Sequence, residues 1–431
     1  MKERQKNILT FVGALFVSYL AFEFILWRNL LTEIPLTLHT TLGRLQYLAQ
    51  TSKASVIPER YVLILGDSIA EGLGDHLMRV VVERKPRYAV AHHLQDKIGR
   101  DVISFGVRGG YPSDAYVFQS HRNWDGINIY AGIALEQPKD IVVLYSEATD
   151  INDEMANIRF WLPADIDRSK LMDTDYVAKL MTRYVADGKK AARRRWHAGR
   201  NGHMVDTITK LTKLFVYNLK TESDHLLTDN DPQFRLGRAY NQDWSRYEGS
   251  DVRVLVGGEG KPYPKHTVES FAFHDDAEIA QAALFFDAAV GELRKQFPIS
   301  NIWIVYVPTP INSYRLLKDA VSLRDRIRFA DTDKAGPPTR FSRAHLEDLS
   351  DRVCQRIRTG TLAKGARFID ARAGLRKVAA EQGYIHGPTD PGHLNEKGYK
   401  SLAAIIARGM KDTSAHACAT IAGTGAAAKG S

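Results

Sequence analysis

Short, uninterrupted apolar runs that alternate with helix-patterned stretches constrain this chain more than any other feature. Tyr61 to Leu65 (YVLIL) is apolar at every position and ends at Gly66, the pattern of a strand buried on both faces of a sheet. Comparable runs recur at Val102 to Phe105, Ile141 to Tyr145, Ile302 to Val307 and Arg367 to Ile369. Helix-like stretches lie between them: Glu71 to Glu83, Ala91 to Ile98, one beginning after Pro112, Ala277 to Phe297, and a last from Glu396 to Met410. Strands alternating with helices predict an α/β domain, a three-layer parallel sheet flanked by helices, with active groups at the carboxyl ends of the strands.

That rhythm sets the expected boundaries of a domain over residues 60–413. It breaks between about 152 and 267, a stretch too long for a simple crossover, which reads as an insertion or lid. Inside it, Met204, Ile208, Leu211, Phe215 and Leu219 share one helical face, and Lys189, Lys190, Arg193, Arg194, Arg195 and Arg200 form a basic run. Residues 414–431 end in an Ala/Gly-rich tail expected to be flexible.

At the other end, Ile8 to Trp27 is a predominantly apolar run with one charge, Glu23, about long enough to span a bilayer. Lys2, Arg4 and Lys6 precede it, so the positive-inside rule predicts a transmembrane helix within residues 1–28 that keeps the N-terminus cytoplasmic and exports the rest. A cleavable signal peptide is the competing reading, disfavoured by bulky Phe24, Ile25, Leu26 and Trp27 at the cleavage position. Residues 29–59 then read as a stalk, and the expected address is a bacterial inner membrane with the domain periplasmic.

A formal charge of +9 favours anionic partners without choosing among them, and nucleic acid is not expected outside the cytoplasm. Cys354 and Cys418 are the two cysteines; they lack zinc or redox spacing, and pairing or staying reduced are both open.

Two segments carry chemistry. Gly66-Asp67-Ser68-Ile69 places Ser68 where a buried strand turns toward a helix, whose first amides can stabilise an oxyanion. Far downstream, Asp390-Pro391-Gly392-His393-Leu394-Asn395 sets an Asp three residues before a His on a Pro/Gly turn. A serine becomes nucleophilic when an imidazole takes its proton, and the imidazole works best with a carboxylate on its other nitrogen. Other polar groups read more simply: His274-Asp275-Asp276 as a helix cap, His92-His93 as helix residues pointing apart, and Gly257-Gly258-Glu259-Gly260 as a turn.

Together, the GDS after the first strand and the DxxHxN before the last helix resemble the SGNH/GDSL hydrolases. The resemblance covers most of Tyr61 to Met410 apart from the insertion, and implies a flavodoxin-like sheet. It makes Ser68 the nucleophile, His393 the general base and then acid, and Asp390 the orienting carboxylate. It also implies an oxyanion hole built from the Ser68 amide, Gly109 in the loop after the second strand, and an asparagine of a GxND block. This chain departs from that third block: Ser146-Glu147-Ala148-Thr149-Asp150 puts Thr149 at the asparagine position, with Asn152 as the substitute if the loop is longer. Pro308-Thr309-Pro310 with Tyr314 resembles a substrate-side loop of the family.

The expected activity is therefore ester hydrolysis or O-acyl transfer through an acyl-enzyme, on an acylated envelope or exported glycan, with a lipid ester or thioester second. No cofactor or metal is implied. A catalytically weak glycan-binding or assembly protein is the reading from another class, supported by the altered third block.

Overall fold

The structure, a computed structural model, describes residues 2–21, 31–33, 36–39, 45–75, 87, 89–130, 133–197, 244–245, 247–250, 252–264, 269–326, 335–412 and 417–421. In chain order its strands are β1 (Val62–Gly66), β2 (Val102–Ser104), β3 (Asp140–Ser146), β4 (Arg253–Val256) and β5 (Glu259–Pro262). They continue with β6 (Asn301–Val307), β7 (Arg315–Leu316), β8 (Ala320–Arg326), β9 (Ala335–Ser342) and β10 (Arg367–Asp370).

The five apolar runs form one sheet in the order β10-β6-β3-β1-β2, with every pairing parallel. Counted over these strands alone the order is 2-1-3-4-5, the doubly wound arrangement whose switch point lies beside the first strand. All five residues of β1 are buried, as an apolar run without alternation requires. Leu63, Leu65, Val143 and Ile304 join one core with Phe285 and Phe286. Val62, Ile64, Val142 and Val305 join the other with Leu375 and Leu402. Each fully buried aliphatic side chain contributes roughly 1.5–3 kcal/mol, so the two faces together fix the strand register.

Local signals place the flanking helices. Asp275 caps the helix Asp276–Gln296 by accepting the Glu278 amide at 2.8 Å, the cap expected from the sequence. Gly257 and Gly258, both at positive φ, make the turn of the β4–β5 hairpin, and β7 pairs with β4 on its other side. In the stretch 152–267, the helix Thr174–His197 packs against Gln119–Asp125 and Asp276–Gln296, burying Val177, Leu180 and Met181 in the sheet's own core. Lys189, Lys190 and Arg193 lie exposed on that helix. Arg200 and the apolar face Met204, Ile208, Leu211, Phe215 and Leu219 lie outside the described residues, as do 76–83 of the helix expected over Glu71 to Glu83.

The N-terminal transmembrane helix is corrected. The described helix runs Lys2–Ala21, beginning among Lys2, Glu3, Arg4 and Lys6, and residues 22–30 of the apolar run lie outside the described residues. Among the described residues, no helix is long and apolar enough to cross a membrane. The expected stalk is partly domain: Tyr47, Leu48 and Ala49 are buried, and Gln50 clamps edge strand β2 through both the Ser104 carbonyl (2.7 Å) and the Ser104 amide (2.8 Å). That clamp satisfies backbone groups an edge strand would otherwise expose.

Cys354 and Cys418 form a disulfide spanning 64 positions. It ties residues 417–421 to the helix Arg343–Ala363, where fully buried Arg372 bonds Asp370 (2.9 Å), Asp351 (2.7 Å) and the Ala419 carbonyl (2.9 Å). Replacing both cysteines by alanine is expected to lower the unfolding free energy by about 2–4 kcal/mol, read from urea midpoints, and to speed amide exchange at Ala419 and Ile421. Unchanged stability and exchange would mean that the Arg372 network holds this segment alone.

Candidate active site

The nucleophile turn follows directly from β1. Asp67 is buried, and its Oδ1 accepts the Ile69 amide at 2.8 Å, starting the short helix Ser68–Glu71. The β1–β2 pairing continues past the strand ends, with the Val107 amide donating to the Gly66 carbonyl at 3.0 Å. This draws the loop after β2 onto the turn so closely that a Cβ on Gly106 would lie 2.1 Å from the Glu71 nitrogen; only glycine fits there.

The downstream half is held by side chains that receive or donate to backbone. Asn395 caps the helix Glu396–Gly409 through the Gly398 amide (3.0 Å), while its Nδ2 donates to the Tyr384 and His386 carbonyls (both 3.0 Å). Asp75, a few residues after Ser68, accepts the Thr389 amide (2.9 Å) and the Asp390 amide (2.7 Å). Tyr399 donates to the Leu73 carbonyl at 2.6 Å. The loop is thus fastened to the nucleophile segment at several points.

These restraints complete a relay between residues 325 positions apart. Ser68 Oγ lies 2.8 Å from His393 Nε2, and His393 Nδ1 lies 2.7 Å from Asp390 Oδ2. Ser68 is buried, whereas the His393 side chain keeps 23% of its surface and so can exchange protons with solvent. Burial opposes the imidazolium, but the hydrogen bond and charge of Asp390 outweigh it and raise the His393 pKa above its ordinary value. Burial likewise opposes the Asp390 carboxylate, and the same partner reverses the sign and holds its pKa low.

Ser68, Ser146, Thr149, Pro308, His386 and His393 are among the residues lining the cleft, which encloses about 320 Å³ counting its open mouth. Pro308 and Pro310 both form its wall, the position the proline loop was expected to take. Glu147 holds that wall, accepting the Thr309 amide (2.8 Å) and Asn312 Nδ2 (3.1 Å) while Tyr306 donates to it at 2.9 Å.

The expected oxyanion donors are distributed differently. Thr149 lines the cleft but gives its hydroxyl proton to Asp67. Gly109 has the expected positive φ (63°) but is exposed and not among the cleft-lining residues. Asn152 lies on the helix Asp150–Ala156 and donates to neighbouring Asp153 at 3.3 Å, so it does not stand in for Thr149 in this geometry. Within the turn, Asp67 takes the Ile69 amide, so that amide is not available to a substrate.

Three groups escaped sequence reasoning. Asp75 works through backbone amides remote in sequence. Ser146 ends β3, and among the described residues its buried hydroxyl has no partner; Asp150 fixes the backbone there by accepting the Ser146 amide at 2.8 Å. His386, buried beside His393, sits four residues before Asp390 in a stretch with no motif. The Asp390 sequence signal placed the loop but not this second imidazole. His92 and His93 are buried in the helix Ala89–Ile98, away from the cleft-lining set. Among the described residues, Cys354, Asp370 and Cys418 are the one trio of metal-capable groups close together, and the two sulfurs are consumed by the disulfide.

No family model, curated protein or solved structure matches the chain.

His393 must be neutral to take the serine proton, and its pKa is raised, so activity falls as pH drops through that raised value. The acid limb of kcat/KM is expected above pH 6.5, and Asp390→Asn should shift it downward while slowing turnover. A limb below the ordinary histidine value, unmoved by Asp390→Asn, would remove His393 as the base.

Proposed function

We propose that this chain is a serine ester hydrolase or O-acyltransferase of the SGNH/GDSL type. The observation that carries the reading is the continuous relay Ser68–His393–Asp390 at the carboxyl end of β1, beside the switch point of the sheet. In the reaction, Ser68 Oγ attacks the ester carbonyl as its proton passes to His393 Nε2. Collapse of the tetrahedral intermediate breaks the ester C–O bond, and the leaving alkoxide takes the proton from His393. A water or sugar hydroxyl then attacks the acyl-enzyme, giving its proton to His393, and Ser68 recovers it on release. Asp390 keeps the imidazole oriented and stabilises its charged form throughout.

The cleft favours a short acyl group. It is narrow around Ser68, and Ile69, Val307, Pro308, Pro310 and Leu394 give it apolar walls. An O-acetylated or similarly short-chain glycan ester suits these dimensions better than a long-chain lipid. The Cys354–Cys418 disulfide supports an oxidising, extracytoplasmic setting. Binding without efficient turnover is the competing reading, favoured by the engagement of Thr149 with Asp67.

The test compares wild type with Ser68→Ala and His393→Ala on p-nitrophenyl esters of increasing chain length and on acetylated glycans, beside labelling by a fluorophosphonate. Acetate and propionate esters are expected to turn over fastest, and either substitution should reduce kcat by about 10³-fold or more. Wild-type protein that binds acetylated glycan yet is neither labelled nor active would establish the binding reading instead.

A further inference from the structure

The hydrogen bonds around Tyr314 determine which nitrogen of His386 carries a proton. The Ile385 and His386 amides both donate to the Tyr314 hydroxyl oxygen at 3.1 Å, occupying its two acceptor positions. The phenol must therefore spend its own proton as a donor, and the atom aligned with it is His386 Nδ1, at 3.1 Å. Burial holds the Tyr314 pKa above its ordinary value, so that proton stays on the phenol. Nδ1 is thus an acceptor, and the ring's proton resides on Nε2. Burial, reinforced by repulsion from His393, lowers the His386 pKa to about 3 and keeps the ring neutral. Among the described residues nothing pairs with Nε2, and His386 lines the same cleft as Ser68 and His393.

A tetrahedral intermediate on Ser68 needs donors that are already oriented before charge develops. The SGNH/GDSL reading supplies the Ser68 amide as one. Thr149 has given its proton to Asp67, and Gly109 and Asn152 lie outside the cleft-lining set. Among the side chains of the cleft, two polar groups remain without a partner among the described residues, the Ser146 hydroxyl and His386 Nε2–H. The serine proton can rotate among several directions, whereas the imidazole is fixed at Nδ1 by Tyr314 and by an antiparallel bridge between His386 and Leu394. A neutral imidazole with a fixed N–H is the better preorganised donor.

We infer that His386 Nε2–H is an oxyanion donor, binding the substrate carbonyl oxygen as it becomes negative and serving in place of Thr149. The inference rests on the ester-cleaving reading of the Ser68 relay. It assigns two imidazoles to one cleft with separate duties: His393 moves protons, and His386 holds one still.

The experiment compares His386→Ala, His386→Gln and His386→Asn with wild type and Ser68→Ala on p-nitrophenyl acetate, with thermal unfolding as the folding control. His386→Ala is expected to lose about a hundredfold or more in kcat with KM changed less than about threefold, since the bond forms only in the transition state. Glutamine projects its amide near the Nε2 position and should restore most of the rate; asparagine, which reaches only the Nδ1 position, should not. Rescue by asparagine but not by glutamine would overturn the inference, because it would assign His386 to holding Tyr314. Wild-type kcat in His386→Ala, with Ser68→Ala inactive, would overturn it and leave the serine mechanism standing. Wild-type protein inert to every ester and to a fluorophosphonate would remove both.

Discussion

The buried carboxylate of Asp75 is the chief tie between the two halves of the site. Asp75 accepts the amides of Thr389 and Asp390, so the loop carrying Asp390 and His393 is docked on the segment that carries Ser68. A hydrogen bond to a charged acceptor contributes about 1.5–3 kcal/mol, which favours the docked arrangement over one in which the loop swings away. The relay distances of 2.7 and 2.8 Å depend on that preference, because Asp390 and His393 lie in an irregular turn between His386 and the final helix. Asn395 completes the restraint by serving the helix cap with one end of its amide and the loop carbonyls with the other.

How much of this was legible in the sequence depends on the range of the interactions. The apolar runs gave the parallel sheet, because burial on both faces leaves a local signature that tertiary contacts only reinforce. Ser68, Asp390 and His393 were legible for the same reason, each lying in a short segment whose turn chemistry is written in adjacent residues. Asp75 and His386 were not, since their roles arise from backbone groups and rings brought together by the sheet. The apolar run after Ile8 misled for the converse reason. Composition over a window reports apolarity without reporting where the helix begins, and the described helix starts within the charged residues that precede the run.

The buried polar groups around the cleft form linked but distinct lattices. Glu147, Tyr306, Thr309 and Asn312 stiffen the proline wall, and Arg376 extends this lattice through the Asn312 carbonyl (2.7 Å) to Glu347. On the other side, Tyr116 donates to Asp150 at 2.6 Å and Asp150 holds the Ser146 amide. Burial, with the nearby charge of Asp67, pushes the Asp150 pKa well above its ordinary value.

The substitution at Thr149 then has a physical consequence beyond a missing amide. Its hydroxyl gives Asp67 a donor, and Asp67 in turn holds the first turn of the nucleophile helix through Ile69. On the proposed reading, the donor that the resemblance expects to meet the substrate here serves instead the turn that presents Ser68. Such an exchange keeps efficient turnover only if the cleft gains a donor elsewhere. The fixed N–H of His386 has the required chemistry, and its tautomer is set by groups that do not take part in the reaction.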